Sequence, residues 1–128
     1  VIYLDTSVAL AELFAEDRRP PPALWEGELV SSRLLEYELW TRVHGRGAAR
    51  SHGEAAREIL ARVALVELAP PVLARAVEPF PVAVRTLDAI HLSTALFLSE
   101  RTRDVAIAAH DDRLLRAAAA VGLRRATI

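Results

Sequence analysis

The chain contains no cysteine, no methionine and no lysine. Without cysteine there can be no disulfide, no thiolate zinc site and no cysteine nucleophile. A reducing cytoplasm suits such a chain and is the expected location. Without lysine there can be neither Schiff-base nor P-loop chemistry. All 16 basic residues are arginine, which together with the abundant alanine fits a GC-rich coding bias. No apolar run approaches the roughly 18 residues that a membrane span requires. The first residues also lack a basic region followed by an apolar signal core, so no membrane association is expected.

Hydrophobic residues make up 52% of the 128 positions, which excludes a disordered or low-complexity chain and allows one domain with a full core. The net charge of −1 does not advertise a nucleic-acid binder. Charge can be segregated, however. If several acids are confined to one pocket, the rest of the surface becomes basic and arginine-rich, and arginine is the side chain best suited to phosphate.

Short apolar runs alternate with helical periodicity along the chain. Strands are predicted at 1–4, 29–31, 65–68, 105–109 and 124–127. Helices are predicted at 7–15, 33–43, 53–63, 87–99 and 112–121, with a turn near Leu24-Trp25 and a short helix between Pro70-Pro71 and Pro79. Ser32 and Thr86 read as N-caps, and Gly45, Gly47 and Gly122 as stops. This order implies an α/β fold with a parallel sheet covered on both faces. In such sheets ligands bind beyond the carboxyl ends of the strands, where strand order reverses.

Four carboxylates stand where that crevice should form. Asp5 and Asp111 each follow an apolar strand, and Asp5 equally suits the N-cap of the next helix. Glu38 lies within the apolar stripe of Leu34, Leu35, Leu39 and Val43, a costly place for an ionised acid unless it is paired or bound to a metal. Arg42, at i+4, is an ordinary partner for it. Glu36 points elsewhere and is expected to be solvated. Asp88 sits in the first turn of its helix with His91 and Leu92 on the same face, and His91 reads as a packed, hydrogen-bonded histidine. Asp111 is assigned to the pocket and Asp112 to the cap of the following helix, with the reverse assignment left open. Gathered together, Asp5, Glu38, Asp88 and Asp111 would make an oxygen-lined pocket for a divalent cation.

Leu4-Asp5-Thr6-Ser7, Glu38 in Leu35-Glu36-Tyr37-Glu38-Leu39, Leu87-Asp88-Ala89-Ile90-His91-Leu92-Ser93-Thr94-Ala95 and His110-Asp111-Asp112-Arg113-Leu114-Leu115 resemble the PIN-domain ribonucleases. The closest resemblance is to the VapC toxins of bacterial toxin–antitoxin pairs, and it covers essentially the whole chain. It implies one PIN-like domain over residues 1–128, a three-layer α/β/α sandwich around a five-stranded parallel sheet. It also implies a Mg²⁺- or Mn²⁺-dependent endoribonuclease whose acidic quartet is Asp5, Glu38, Asp88 and Asp111. The implied partners are RNA, a cognate antitoxin that inserts a segment near the site, and a second copy in a homodimer. The family often carries Ser or Thr two residues before its last acid, and here that place is Ala109.

The chemistry expected from such a pocket is in-line attack of water on an RNA phosphodiester, with a cation neutralising phosphoryl charge. Like charges about 4 Å apart repel by roughly 4 kcal/mol at an effective dielectric of about 20, so one acid should carry a raised pKa in the metal-free pocket. Arg42, Arg85, Arg113 and Arg116 are candidate phosphate contacts, each with a structural or solvated alternative. Trp25 and Trp40 suit either an interface or the core. Three other acid-pocket folds fail on single residues. A receiver domain needs lysine, a haloacid-dehalogenase-type phosphatase needs Asp where Ser7 stands, and an integrin-type site needs Ser where Ala9 stands. The remaining alternative is a catalytically weak module that binds RNA or antitoxin, and Ala109 is its one hint.

Overall fold

The computed structural model describes residues 1–128. Five strands, β1 (Ile2–Leu4), β2 (Leu29–Ser32), β3 (Ala64–Val66), β4 (Ala106–Ala108) and β5 (Arg124–Arg125), form one sheet in the order β3-β2-β1-β4-β5. Every pairing is parallel. The helices are α1 (Thr6–Leu13), α2 (Leu34–Gly45), α3 (Ala49–Ala61), α4 (Pro70–Ala76), α5 (Thr86–Ser99) and α6 (Asp112–Ala120), with a 3-10 turn at Pro22–Glu26.

Side chains alternate across the strands. Leu4, Ala106 and Ala108 enter a core with Val8, Leu13, Leu35, Leu39, Val43 and Ile59, so α1, α2 and α3 cover that face. Tyr3, Ile107 and Ala109 enter a second core with Leu92, Leu114 and Leu115, so α5 and α6 cover the other face. Helix α4 packs on α5. This is the predicted α/β/α sandwich.

The sheet starts at its centre. From β1 the chain passes to β2 and β3 on one side, then returns to β4 and β5 on the other. Strand order therefore reverses between β1 and β4, whose carboxyl ends carry Asp5 and the loop to Asp111. The Asp5 amide donates to the Ala108 carbonyl at 2.9 Å, which continues the β1–β4 ladder to the mouth of the crevice.

Some boundaries depart from the sequence reading. Helix α3 begins at Ala49 rather than Gly53, because Gly47, at φ 63°, turns the chain early. Gly53 then lies inside the helix, where the Trp40 ring approaches to 3.7 Å of an added Cβ. Thr86 is the first residue of α5, and the extended Arg85 holds the cap position without a side-chain hydrogen bond. Arg33 holds the cap position of α2 without a side-chain hydrogen bond, and Ser32, one residue earlier, accepts the Leu34 amide through its hydroxyl at 3.0 Å. The edge strands β3 and β5 are shorter than predicted. Glu36 is half-buried and reaches Arg33 at 3.5 Å. Trp25 and Trp40 both pack partly buried against the first core.

Candidate active site

Each acid is carried to the crevice by local structure. Asp5 is buried and caps α1, its Oδ2 accepting the Ser7 amide at 3.2 Å and also the Ser7 hydroxyl. The Ser7 hydroxyl also accepts the His110 amide at 3.0 Å, which ties the β4–α6 loop to Asp5. Asp111 takes the N-cap of α6, its Oδ1 accepting the amides of Arg113 and Leu114 at 3.0 and 3.3 Å. The cap therefore belongs to Asp111, and Asp112 is an exposed first-turn acid. The reason lies in the backbone: Asp111 is extended, at φ −95° and ψ 109°, as an N-cap requires.

Glu38 is held by α2, where Leu35 and Leu39 are fully buried on either side of it. Burial of that kind stabilises by about 2 kcal/mol per leucine and fixes the helix's rotation. Its partner is not Arg42, which is exposed, but His91 of α5. His91 Nε2 donates to Glu38 Oε1 at 2.6 Å, and Thr6 Oγ1 donates to the same oxygen at 2.7 Å. His91 is buried, with Nδ1 hydrogen-bonded to the Tyr3 hydroxyl at 2.7 Å and Nε2 lying 3.9 Å from Asp5 Oδ1.

The electrostatics follow from this packing. Burial disfavours the Glu38 charge, yet the hydrogen bond and charge of His91, with the Thr6 hydroxyl, hold its carboxyl below the usual range. Burial likewise disfavours the His91 charge, but the Glu38 hydrogen bond and the charges of Asp5, Glu38 and Asp88 lift it above its ordinary value. Asp88 is pushed up by burial and by the charges of Asp111 and Asp5, with Arg113 opposing. That coupling puts Asp5, Asp88 and Asp111 in one electrostatic neighbourhood, and His91 joins Glu38 to it.

The oxygens share a pattern. In Asp5, Glu38 and Asp111 the fold occupies one carboxylate oxygen and leaves the other without a protein hydrogen bond. Asp88 Oδ2 is buried with no partner at all. A buried, unpaired carboxylate oxygen is costly unless something outside the chain satisfies it. As placed, no three of these side chains close into a ready-made metal ligand set. Their all-oxygen chemistry and free lone pairs nevertheless suit a hard divalent cation that keeps several waters.

Of the four candidate arginines, Arg42, Arg85 and Arg116 are exposed, while Arg113 is half-buried and its Nε lacks a hydrogen-bond partner. Ala109 lies in the second core rather than in the crevice, and the hydroxyl at the β4–α6 loop comes from Ser7. Sequence reasoning passed over Tyr3, Thr6 and Ser7. The one available signal was Tyr3 itself, a phenol inside a buried strand that needs a partner.

A five-stranded parallel sheet, reversed beside β1 and carrying acids at that point, is consistent with a PIN domain, and the PIN domain family model matches residues 2–120. The chain belongs to that family. Among its relatives is "Ribonuclease VapC47" of Mycobacterium tuberculosis (strain CDC 1551 / Oshkosh), 30% identical over 128 aligned positions that cover 95% of this chain and 93% of the relative. No solved structure gives a significant match. No helix is long and apolar enough to cross a membrane.

Proposed function

We propose that this chain is a VapC-type endoribonuclease toxin, one domain over residues 1–128, that hydrolyses RNA phosphodiesters in the cytoplasm with Mg²⁺ or Mn²⁺. The observation that carries the reading is the set of partly satisfied carboxylates at the β1–β4 switch point, in a chain alike over its length to a protein named a ribonuclease.

Asp5, Glu38, Asp88 and Asp111 would hold the cation. When bound, a divalent cation supplies Lewis-acid stabilisation of phosphoryl charge and a supply of activated water. The chain's own part is to hold its oxygens in place. Asp5 and Asp111 are pinned as helix caps, and Glu38, kept below the usual carboxylate range, stays ionised and serves better as fixed charge than as proton acceptor. Burial and the charges of Asp111 and Asp5 oppose the Asp88 charge, so a bound cation would relieve that repulsion. Arg113, whose charge reaches Asp88, is the arginine best placed to meet a substrate phosphate.

Two grooves offer room for protein partners. One, about 640 Å³, is lined by Leu73, Val77, Phe80, Val82 and Val84 and suits a second copy of the chain. The other, about 900 Å³, has Leu13, Trp25 and Ile59 at its base and Glu12, Arg19, Glu58 and Arg62 among its lining, a mixture suited to an amphipathic antitoxin segment.

The test is cleavage of a single-stranded RNA pool by antitoxin-free protein with Mg²⁺, with Mn²⁺ and with EDTA, alongside folded Asp88→Asn protein. Cuts that need metal and vanish in the variant support the nuclease. RNA capture that survives EDTA without any cuts would replace it with the binding module.

A further inference from the structure

The site contains a group to which no catalytic part has been given. His91 is buried in α5 one turn beyond Asp88, yet it reaches across to α2 and back to β1. Nε2 is 2.6 Å from Glu38 Oε1 and 3.9 Å from Asp5 Oδ1, and Nδ1 is 2.7 Å from the Tyr3 hydroxyl. The Tyr3 and His91 rings meet edge to face, at 5.8 Å and 77°. His91 has both nitrogens engaged, and it touches or faces two of the four acids.

We propose that His91 is a positioning residue for the metal pocket, locked by Tyr3 and holding Glu38 by one oxygen so that the other stays free. The inference rests on the metal-dependent reading of the site. Its geometry is specific. Both protein hydrogen bonds to Glu38, from His91 and from Thr6, fall on Oε1, and none falls on Oε2. Thr6 also lies 3.2 Å from Nε2, so hydroxyl, imidazole and carboxylate form one closed contact. Without the Nε2 donor, Glu38 keeps only the Thr6 hydroxyl and gains freedom to rotate. Groups behind metal ligands act in this way, and their loss typically weakens metal binding about 10- to 100-fold.

Two substitutions divide the roles of the ring nitrogens. His91→Gln places an amide donor near Nε2 and keeps the Glu38 contact. His91→Asn places it near Nδ1 and keeps only the Tyr3 contact. Mn²⁺ binding is titrated on each full-length protein without RNA, reading free Mn²⁺ by electron paramagnetic resonance, with thermal melts run in parallel. The expected result is a midpoint within about threefold of the parent for His91→Gln and a weakening of about tenfold or more for His91→Asn. With RNA and saturating Mn²⁺, His91→Asn should lower kcat more than it raises KM. Equal Mn²⁺ midpoints for Asn, Gln and parent would overturn the positioning role and leave the metal site standing. Equal losses in Asn and Gln would overturn it too, since mere packing would then explain His91. A parent protein that binds no Mn²⁺ would bring down the metal reading itself, and the inference with it.

Discussion

Asp5 and Ser7 are joined by two hydrogen bonds on a single oxygen: Oδ2 accepts the Ser7 amide at 3.2 Å and the Ser7 hydroxyl. The carboxylate that opens the crevice is thus also the N-cap of α1. Stability and function share a side chain here, and they can be separated. Asn caps helices about as well as Asp, whereas Ala costs about 1 kcal/mol. Asp5→Asn is expected to keep the melting temperature and lose cleavage, and Asp5→Ala to lose both. Denaturant midpoints set beside cleavage rates check this, and an active Asp5→Asn protein would remove Asp5 from the site.

How much of this was legible beforehand depended on range. The apolar runs Val1–Leu4 and Val105–Ala109, and Glu38 among Leu34, Leu35, Leu39 and Val43, are local signals that carried the fold and the acids. The first turn of α3 was hidden because Arg50, Ser51 and His52 show no apolar stripe. Asp112 was the expected cap of α6 and Asp111 takes it instead, since the choice lies in one residue's backbone angles. The Tyr3–His91 contact spans 88 residues and the His91–Glu38 contact spans 53, so no window along the chain contains either. Arg42 was the natural sequence partner for Glu38, and tertiary packing overrode it.

Asp88 carries a charge that its surroundings oppose. Its folded-state pKa is raised by burial and by Asp111 and Asp5, so it favours folding below its unfolded value of 3.8 and costs stability as pH rises through the folded value. At neutral pH, Asp88→Asn is expected to melt higher than the parent in EDTA, while losing at least about a hundredfold in cleavage. Mg²⁺ should raise the parent's melting temperature and leave the variant's nearly unchanged. Calorimetry with and without metal measures both shifts. A lower melting point for the variant in EDTA would contradict the repulsion.

The His91–Glu38 pair should give the metal-free protein a bounded pH window. Glu38 is held below its ordinary 4.5, so its contribution is present above 4.5 and is lost as pH falls through the folded value. His91 is held above its ordinary 6.5, so its contribution is complete below 6.5 and is lost as pH rises through the folded value. Both contributions are complete only between 4.5 and 6.5. Melting temperatures of parent and Glu38→Gln across that range and beyond should diverge most inside it and converge on the alkaline side. Parallel curves would show that the pair does not control stability.

The exposed apolar surface at the end of α4 and in the loop that follows offers the last test. Val77 is 86% exposed, and Leu73 and Val82 are each 40% exposed, around a groove that Arg85 and Thr86 also line. Isolated apolar residues on a surface need no explanation, but three around one groove mark a surface built to be covered. A residue so exposed contributes little to the monomer, so Val77→Asp should change stability by no more than about 0.5 kcal/mol. In a homodimer closed over this groove, the same substitution places a carboxylate in an apolar contact on both copies at once, because a two-fold interface repeats every change. Sedimentation velocity over a concentration series should show a self-associating parent and a variant shifted toward monomer, with metal-dependent cleavage by the variant reporting whether the site depends on the dimer. Identical sedimentation of the two proteins would rule this groove out as a homodimer surface.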